Sequence, residues 1–179
     1  MRDCQMQRNS GILQHPYRGN TQAQNGGQQG GAAQARVYYL TPVDAENAGD
    51  VVTGIIYMFS HKVVVLFDFG ARYSFISRGF VKLCGLEVQR LDYELVVATL
   101  SGSAVECSNV VYDFLVEIQG RILPVDLVVY DMFGFDIIFG MDWLSSSYAS
   151  IDCHRREVLF RPPGKQEFHF IESCVRSAP

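Results

Sequence analysis

Residues 63–71 read Val-Val-Val-Leu-Phe-Asp-Phe-Gly-Ala, and this stretch decides the interpretation of the rest of the chain. Five apolar residues in succession predict a strand that is buried on both faces. The run stops at Asp68, and Gly70, two residues later, permits a tight backbone turn. A carboxylate at the end of a dry strand is costly unless it is paired, solvated or used chemically. Asp68 is therefore the first candidate functional residue.

The composition is that of an ordinary globular protein. The chain has 179 residues, of which 48% are hydrophobic and 19% charged, and its formal net charge is -4. This length suits one domain with one hydrophobic core, and the charge gives no basic excess that would favour nucleic acid. No apolar run approaches the roughly 20 residues that a membrane-spanning helix needs. Five scattered cysteines and the absence of a signal-like N-terminus favour a reducing, cytoplasmic location without a membrane partner.

The chain divides into three parts by composition. Residues 1–35 are rich in Gln, Gly and Asn and poor in large aliphatic side chains, which predicts a disordered linker because little apolar surface can be buried. Short apolar segments separated by turn residues then run from Arg36 to Gly164, which predicts a folded domain over 36–164. Pro-Pro-Gly at 162–164 ends this pattern of short apolar segments, so residues 165–179 are predicted to form a C-terminal tail.

The folded part is predicted to be all-β. About nine short strands with turns about every 8–12 residues, plus one or two short helices, are typical of a small closed β-barrel or a sandwich. A long hairpin has Gly102 at its tip, and Gly85 ends a predicted helix that begins at Ser74. The predicted strands cover residues 51–58, 63–68, 93–100, 104–111, 112–118, 122–129, 135–139, 149–153 and 157–161, the helices cover 74–84 and 141–146, and residues 35–40 form a strand or a lead-in.

Two motifs in this order resemble a known family. Residues 68–76 read Asp-Phe-Gly-Ala-Arg-Tyr-Ser-Phe-Ile, and residues 135–144 read Phe-Asp-Ile-Ile-Phe-Gly-Met-Asp-Trp-Leu. They resemble the retropepsins, the single-lobe aspartic proteases of retroviruses and long-terminal-repeat retrotransposons. The likeness covers about residues 36–164 and is greatest to the protease of plant gypsy-type Gag-Pol polyproteins. It implies a retropepsin-like (acid protease) closed β-barrel that forms one lobe of a dimeric enzyme.

The resemblance implies an aspartic endopeptidase without metal or cofactor. In the family, two identical chains each contribute one Asp, and the pair activates a water molecule that attacks a peptide bond. By this likeness Asp68 is catalytic. Gly70 and Ala71 shape the loop at the substrate, and Gly102 is the tip of a flap that folds over it. The implied partners are a second copy of the chain and a polypeptide substrate, namely the chain's own polyprotein.

The first residues resemble the end of a second motif of such polyproteins. Arg2-Asp3-Cys4 is similar to the last residues of a zinc knuckle, Cys-x2-Cys-x4-His-x4-Cys, but the other three ligands are missing from this chain. A lone Cys cannot form a four-ligand zinc site. We therefore expect neither a metal nor knuckle-type binding of nucleic acid by this chain.

Two residues beside Asp68 depart from the family pattern and leave an alternative open. Phe69 stands where relatives often carry Ser or Thr, and Arg72 stands where Thr is typical. Arg72 either lies near Asp68 and favours its ionised form, or it points outward or pairs with a carboxylate such as Asp142. The alternative function is a catalytically decayed domain that acts at most in peptide binding or dimerisation. Asp136 and Asp142, which flank the second motif, are predicted to have turn or cap roles.

Overall fold

The computed structural model describes residues 33–37, 51–99 and 104–171, and these are mostly strands, as predicted. The described strands are β1 (Ala33–Val37), β2 (Val51–Met58), β3 (His61–Asp68), β4 (Phe75–Ser77), β5 (Gln89–Thr99), β6 (Ala104–Ile118), β7 (Arg121–Tyr130), β8 (Ile137–Phe139), β9 (Ala149–Asp152), β10 (Glu157–Phe160) and β11 (Phe168–Ile171), and the helices are α1 (Arg78–Cys84) and α2 (Met141–Ser146). None of the helices in these ranges is long and apolar enough to cross a membrane.

The described strands form two hydrogen-bonded sheets. The larger sheet has the order β1-β5-β6-β7-β4-β8-β3-β2, and the smaller one has the order β11-β10-β9. Strand β3 lies inside the larger sheet, antiparallel to β2 and parallel to β8. The strand that carries Asp68 is thus hydrogen-bonded on both edges, which fixes the position of its last residue.

Strand β3 is also buried on both faces, as its apolar sequence predicts. Alternate residues of a strand face opposite sides, so Phe67 and Leu66 enter different hydrophobic clusters. The ring of Phe67 stacks on Phe139 at 5.1 Å between centroids and lies 4.8 Å from Phe170 of the smaller sheet. Leu66 packs with Phe75 and other residues of β4 and β5–β8. The aromatic cluster of Phe67, Phe139 and Phe170 therefore joins the two sheets, and its Phe67 lies next to Asp68 in the chain.

The predicted helix over 74–84 is shorter than expected. Residues 75–77 form β4, which pairs with β7 and β8, and only residues 78–84 are helical. Tertiary pairing outweighs local helical preference here because all three residues of β4 become fully buried between two strands. Ser77, rather than Ser74, is the N-cap, and its Oγ accepts a hydrogen bond from the Phe80 N–H at 3.0 Å. Gly85 ends the helix in the left-handed conformation with φ of 61°, as predicted.

The predicted domain boundary at Gly164 is too early. Residues 162–164 form a turn, in which the Lys165 N–H donates to the Pro162 carbonyl, and the chain returns as β11 beside β10. Phe168 and Phe170 of β11 are buried in the main cluster. Residues 165–171 are therefore part of the domain, and only 172–179 of the predicted tail lie outside the described residues. At the other end, β1 begins at residue 33 and pairs with β5, while residues 1–32 of the predicted linker are outside the described ranges.

The role of β11 predicts that Phe170→Ala lowers the free energy of unfolding by about 3–5 kcal/mol, because it removes a buried ring from the joint between the sheets. Ile171→Ala is the matched control, since that side chain is 62% exposed, and its effect should stay within about 0.5 kcal/mol. Urea denaturation measures both. Equal, small effects would mean that the domain does end at Gly164.

Candidate active site

Asp68 occupies a position that is almost completely closed to solvent, with 1% exposure. Its Oδ1 accepts a hydrogen bond from the Gly70 N–H at 2.7 Å, and the Ala71 N–H donates to the Asp68 carbonyl oxygen at 3.3 Å. Its Oδ2 is buried and has no hydrogen-bond partner among the residues that the structure describes. Buried polar atoms are nearly always paired, so an unpaired carboxylate oxygen marks a group available for an external partner.

The environment of Asp68 favours a protonated carboxyl. Burial raises the pKa of Asp68 above its ordinary value because the charged form is deprived of water, and the N–H groups of Gly70 and Ala71 only partly oppose this. A carboxyl group with a raised pKa retains its proton to a higher pH than an ordinary Asp and can donate it. This property suits a general acid.

The loop after Asp68 is fastened to the start of α2. The Ser74 N–H and Oγ–H donate to the two oxygens of Asp142, at 3.0 and 2.7 Å, and the Gly140 N–H donates to Ser74 Oγ at 3.0 Å. The first N–H groups of a helix have no partner within it, and here the loop carbonyls serve them. Met141 N–H donates to the Ala71 carbonyl at 2.8 Å, and Asp142 N–H donates to the Arg72 carbonyl at 3.2 Å.

Gly140 allows this close approach. A Cβ built on Gly140 would overlap the carbonyl oxygen of Tyr73 and would lie 2.9 Å from the carbonyl oxygen of Ala71. These are backbone atoms of the fastened loop, so they cannot move aside without displacing it. The Gly of the second motif is thus required by the first motif, although the two are about 70 residues apart.

The two carboxylates of the second motif have structural roles, in line with the turn or cap roles predicted for them. Asp136 is hydrogen-bonded to β3: its Oδ2 accepts from the Val64 N–H, and its own N–H donates to the Val64 carbonyl, both at 2.8 Å. Asp142 is saturated by Ser74 and by the Trp143 N–H at 2.7 Å. Burial raises the pKa of Asp142, while its hydrogen bonds from Ser74 and Trp143 oppose the rise.

The residues around Asp68 differ in what they offer to a ligand. Phe69 is 40% exposed and Gly70 is exposed, whereas Ala71 is fully buried, so Ala71 shapes the loop from beneath. Arg72 is exposed, and its guanidinium lies 5.8 Å from the ring centroid of Tyr73. The shift in the Asp68 pKa arises from burial and backbone N–H groups. The structure therefore supports the outward interpretation of Arg72.

The hairpin that is predicted to act as a flap corresponds to β5 and β6, which pair up to Ala98 and Ala104. Its predicted tip, Gly102, lies outside the described residues, so that prediction stays open. The sequence does not predict the Ser74–Asp142 hydrogen bonds, because Ser74 fits the pattern of a helix start. The available signal was Gly-x-Asp at the start of α2, where an acidic residue in the first turn is common.

Comparisons with known proteins agree with this architecture. The family model described as retroviral aspartyl protease matches residues 32–166. The crystal structure of the retroviral protease-like domain of Ddi1 from Leishmania major has a TM-score of 0.51 and 17% sequence identity, covering 70% of this chain and 98% of that chain. At 17% identity this structural likeness supports the fold alone, and it confirms the predicted retropepsin-like fold. No curated protein matches the chain.

The close approach at Gly140 predicts that Gly140→Ala lowers the free energy of unfolding by about 3 kcal/mol or more, because a methyl group would displace the fastened loop. Gly79→Ala, in α1, is the matched control. Its Cβ meets only Ser77 Oγ at 3.9 Å, so helix propensity should raise the stability by about 0.5–1 kcal/mol. Thermal or urea unfolding compares the two, and similar effects would contradict a packing requirement at Gly140.

The raised pKa of Asp68 predicts how stability depends on pH. The folded chain binds this proton more tightly than the unfolded chain, so the contribution is fully present below the unfolded pKa of about 3.9 and is lost as pH rises through the folded pKa. The free energy of unfolding of Asp68→Asn, relative to that of the native chain, should therefore increase as pH rises from 3.5 to 7. Urea midpoints at both pH values, measured at chain concentrations low enough that they do not vary with dilution, provide the test. A constant difference would contradict the pKa shift.

Proposed function

Because the chain belongs to the retroviral aspartyl protease family, we propose that it is an aspartic endopeptidase whose active unit is a homodimer with one Asp68 from each chain. The observation that carries the proposal is the buried Asp68 carboxyl with an unpaired Oδ2 beside the exposed residues Phe69 and Gly70. A carboxyl group of this kind is suited to bind and activate a water molecule once a second acid faces it.

The requirement for a second chain follows from the carboxylates that one chain offers. The Asp136 and Asp142 side chains accept hydrogen bonds within the chain and hold the scaffold of the site. These two carboxylates are therefore engaged within the chain, and a twofold axis beside the Phe69–Gly70 turn would supply an identical Asp68 as the second acid. Two carboxyl groups a few ångströms apart cannot both ionise cheaply, so the pair would hold one proton.

The mechanism uses both states of the pair. The ionised Asp68 accepts a proton from the bound water as that water attacks the scissile carbonyl carbon. The protonated Asp68 donates its proton to the carbonyl oxygen, which gives a tetrahedral diol. The Asp68 that accepted the water's proton then transfers it to the peptide nitrogen as the C–N bond breaks, and the other Asp68 takes a proton back from a diol hydroxyl, so the pair again holds one proton. Water is the nucleophile, so no covalent enzyme intermediate forms. The Gly70 N–H keeps Oδ1 in position, and the burial that raises the Asp68 pKa supports the protonated member of the pair.

The substrate is proposed to be an extended polypeptide. The hairpin of β5 and β6, with Gly102 at its tip, would cover the peptide and bond to its backbone in the manner of strand addition. The two motifs resemble plant gypsy-type elements, so we infer that the substrate is the chain's own Gag-Pol polyprotein, processed in the cytoplasm without a cofactor. Nucleic acid is not proposed as a ligand of this chain.

The decayed alternative depends on Phe69. Its exposed ring stands next to Asp68, where a hydroxyl group in relatives would provide a hydrogen bond between the two loops of a dimer. Losing such a bond costs about 1 kcal/mol, and a bulky ring at the axis would also keep the two carboxyl groups apart. A dimer that forms but does not cleave would favour this alternative.

The proposal predicts that a verified dimer cleaves a polyprotein-derived peptide near pH 5 and that Asp68→Asn abolishes the cleavage. It also predicts that adding an equal amount of the Asp68→Asn chain reduces the activity to about half, since exchange converts native dimers into dimers with one acid. The same amount of an Asp131→Asn chain, altered at an exposed carboxylate, should not reduce it. Peptide cleavage followed by mass spectrometry measures both effects.

Two outcomes of this experiment would contradict the proposal. Activity that is insensitive to the Asp68→Asn chain would show that each chain acts alone. A verified dimer without turnover would favour the decayed domain. In that case Phe69→Ser should restore cleavage if the ring is the defect, and sedimentation would show whether it also changes the dimer affinity.

A further inference from the structure

Arg72 is held at a fixed place in the loop that carries Asp68. Its carbonyl oxygen accepts the Asp142 N–H at 3.2 Å, and the neighbouring Ala71 carbonyl accepts the Met141 N–H at 2.8 Å. The start of α2 thus anchors the backbone on both sides of the Arg72 side chain, while that side chain is exposed. A cation on an anchored backbone is positioned before any ligand arrives.

The charge of Arg72 also has no carboxylate partner among the described residues. In the described ranges, its guanidinium has a ring contact with Tyr73 and no carboxylate within ion-pair distance. Other arginines have such partners: Arg78 Nε lies 2.8 Å from Asp131 Oδ1, and Arg161 Nε lies 3.5 Å from Glu167 Oε2. Asp142, the carboxylate considered as a partner of Arg72, already accepts hydrogen bonds from Ser74 and Trp143. Arg72 is therefore available to an external anion.

The residue next to Arg72 packs against the proposed flap hairpin. Tyr73, whose ring centroid lies 5.8 Å from the Arg72 guanidinium, contacts the hydrophobic cluster that includes Leu91 and Leu95 of β5. Tyr93 lies in a stretch where the pairing of β5 with β6 shifts register between Arg90 and Leu95, so this part of the strand departs from the regular ladder. The loop of Asp68 and the first half of the flap hairpin thus meet in the hydrophobic cluster that contains Ala71 and Leu95.

The distance along the chain limits which substrate residue Arg72 can reach. Arg72 is four positions after Asp68, so the two Cα atoms are at most about 14 Å apart. An extended peptide advances about 3.3 Å per residue, so this span corresponds to about four residues on one side of the scissile bond. A planar guanidinium binds carboxylates in a bidentate manner, and its attraction strengthens when the flap excludes water.

We propose that Arg72 is a specificity-determining residue that selects an acidic side chain, Glu or Asp, within about four residues of the scissile bond. The inference rests on the proposed function, because it assigns a substrate preference to the same site. The apolar face of the guanidinium stacks on Tyr73, and its donors face the peptide carboxylate. The chain thereby uses a residue that differs from the typical Thr of its relatives.

The test is a positional-scanning decapeptide library with Glu, Gln or Lys at each position, assayed at pH 6, where Glu is ionised. We expect native dimers to cleave the Glu peptides about three- to tenfold better than the Gln peptides, in kcat/KM, at one position. Arg72→Glu should invert this ratio in favour of Lys. Lys82→Glu, the same charge reversal on the exposed face of α1, should leave the ratio unchanged.

A second measurement separates this inference from the proposed function. The Asp68→Asn chain is used to bind the same peptides, labelled with a fluorophore, and the anisotropy is recorded with and without Arg72→Glu. If native dimers cleave no peptide, the proposed function fails. A Glu preference in binding that Arg72→Glu inverts would still support the role of Arg72. The inference is overturned if binding and cleavage show no Glu preference, or if Arg72→Glu changes only the dimer affinity and leaves the preference intact.

Discussion

The approach of the Asp68 loop to the first turn of α2 is the constraint on which the rest of the site depends. It brings two backbone segments about 70 residues apart in the sequence into direct contact, and this is possible only because Gly140 has no side chain. The contact places Ser74 and Asp142 at hydrogen-bonding distance and leaves the Ala71 and Arg72 carbonyls paired with helix N–H groups. The loop therefore has little freedom, and the Asp68 carboxyl is held where desolvation is severe.

That rigidity explains how a costly carboxyl group is tolerated. A buried acid with one unpaired oxygen destabilises the folded chain at neutral pH, since the charged form lacks water and receives few donors. The cost is offset by the aromatic joint beneath it, where Phe67 contacts Phe139 and Phe170 and connects the two sheets. Packing on one face of β3 thus offsets the cost of the buried Asp68 carboxyl at the end of the strand. Such compensation is common at functional sites.

The parts of the fold that follow from local patterns were predictable. The apolar run of β3, the hairpins and the helix end at Gly85 all carry short-range signals, and the two motifs led to the correct family. The missing parts depend on contacts between distant residues. Residues 75–77 read equally well as helix, and only their neighbours β7 and β8 make them a strand. Ser74 and Asp142 are 68 positions apart, so no window of sequence connects them. Pro-Pro-Gly at 162–164 is equally typical of the end of a domain and of a turn within one. Which of the two it is depends on whether the following aromatic residues are buried in the core.

The position of β11 has a practical consequence for defining this domain. The family match ends at residue 166, two residues before Phe168 and four before Phe170. A fragment cut at that border would keep Asp68 and both motifs, yet it would expose one side of the Phe67 cluster and leave the β10 edge unpaired. Such a fragment would be prone to edge-to-edge association, and a loss of activity in it would be wrongly attributed to the residues around Asp68. The smallest unit that can report on this site extends at least to Ile171.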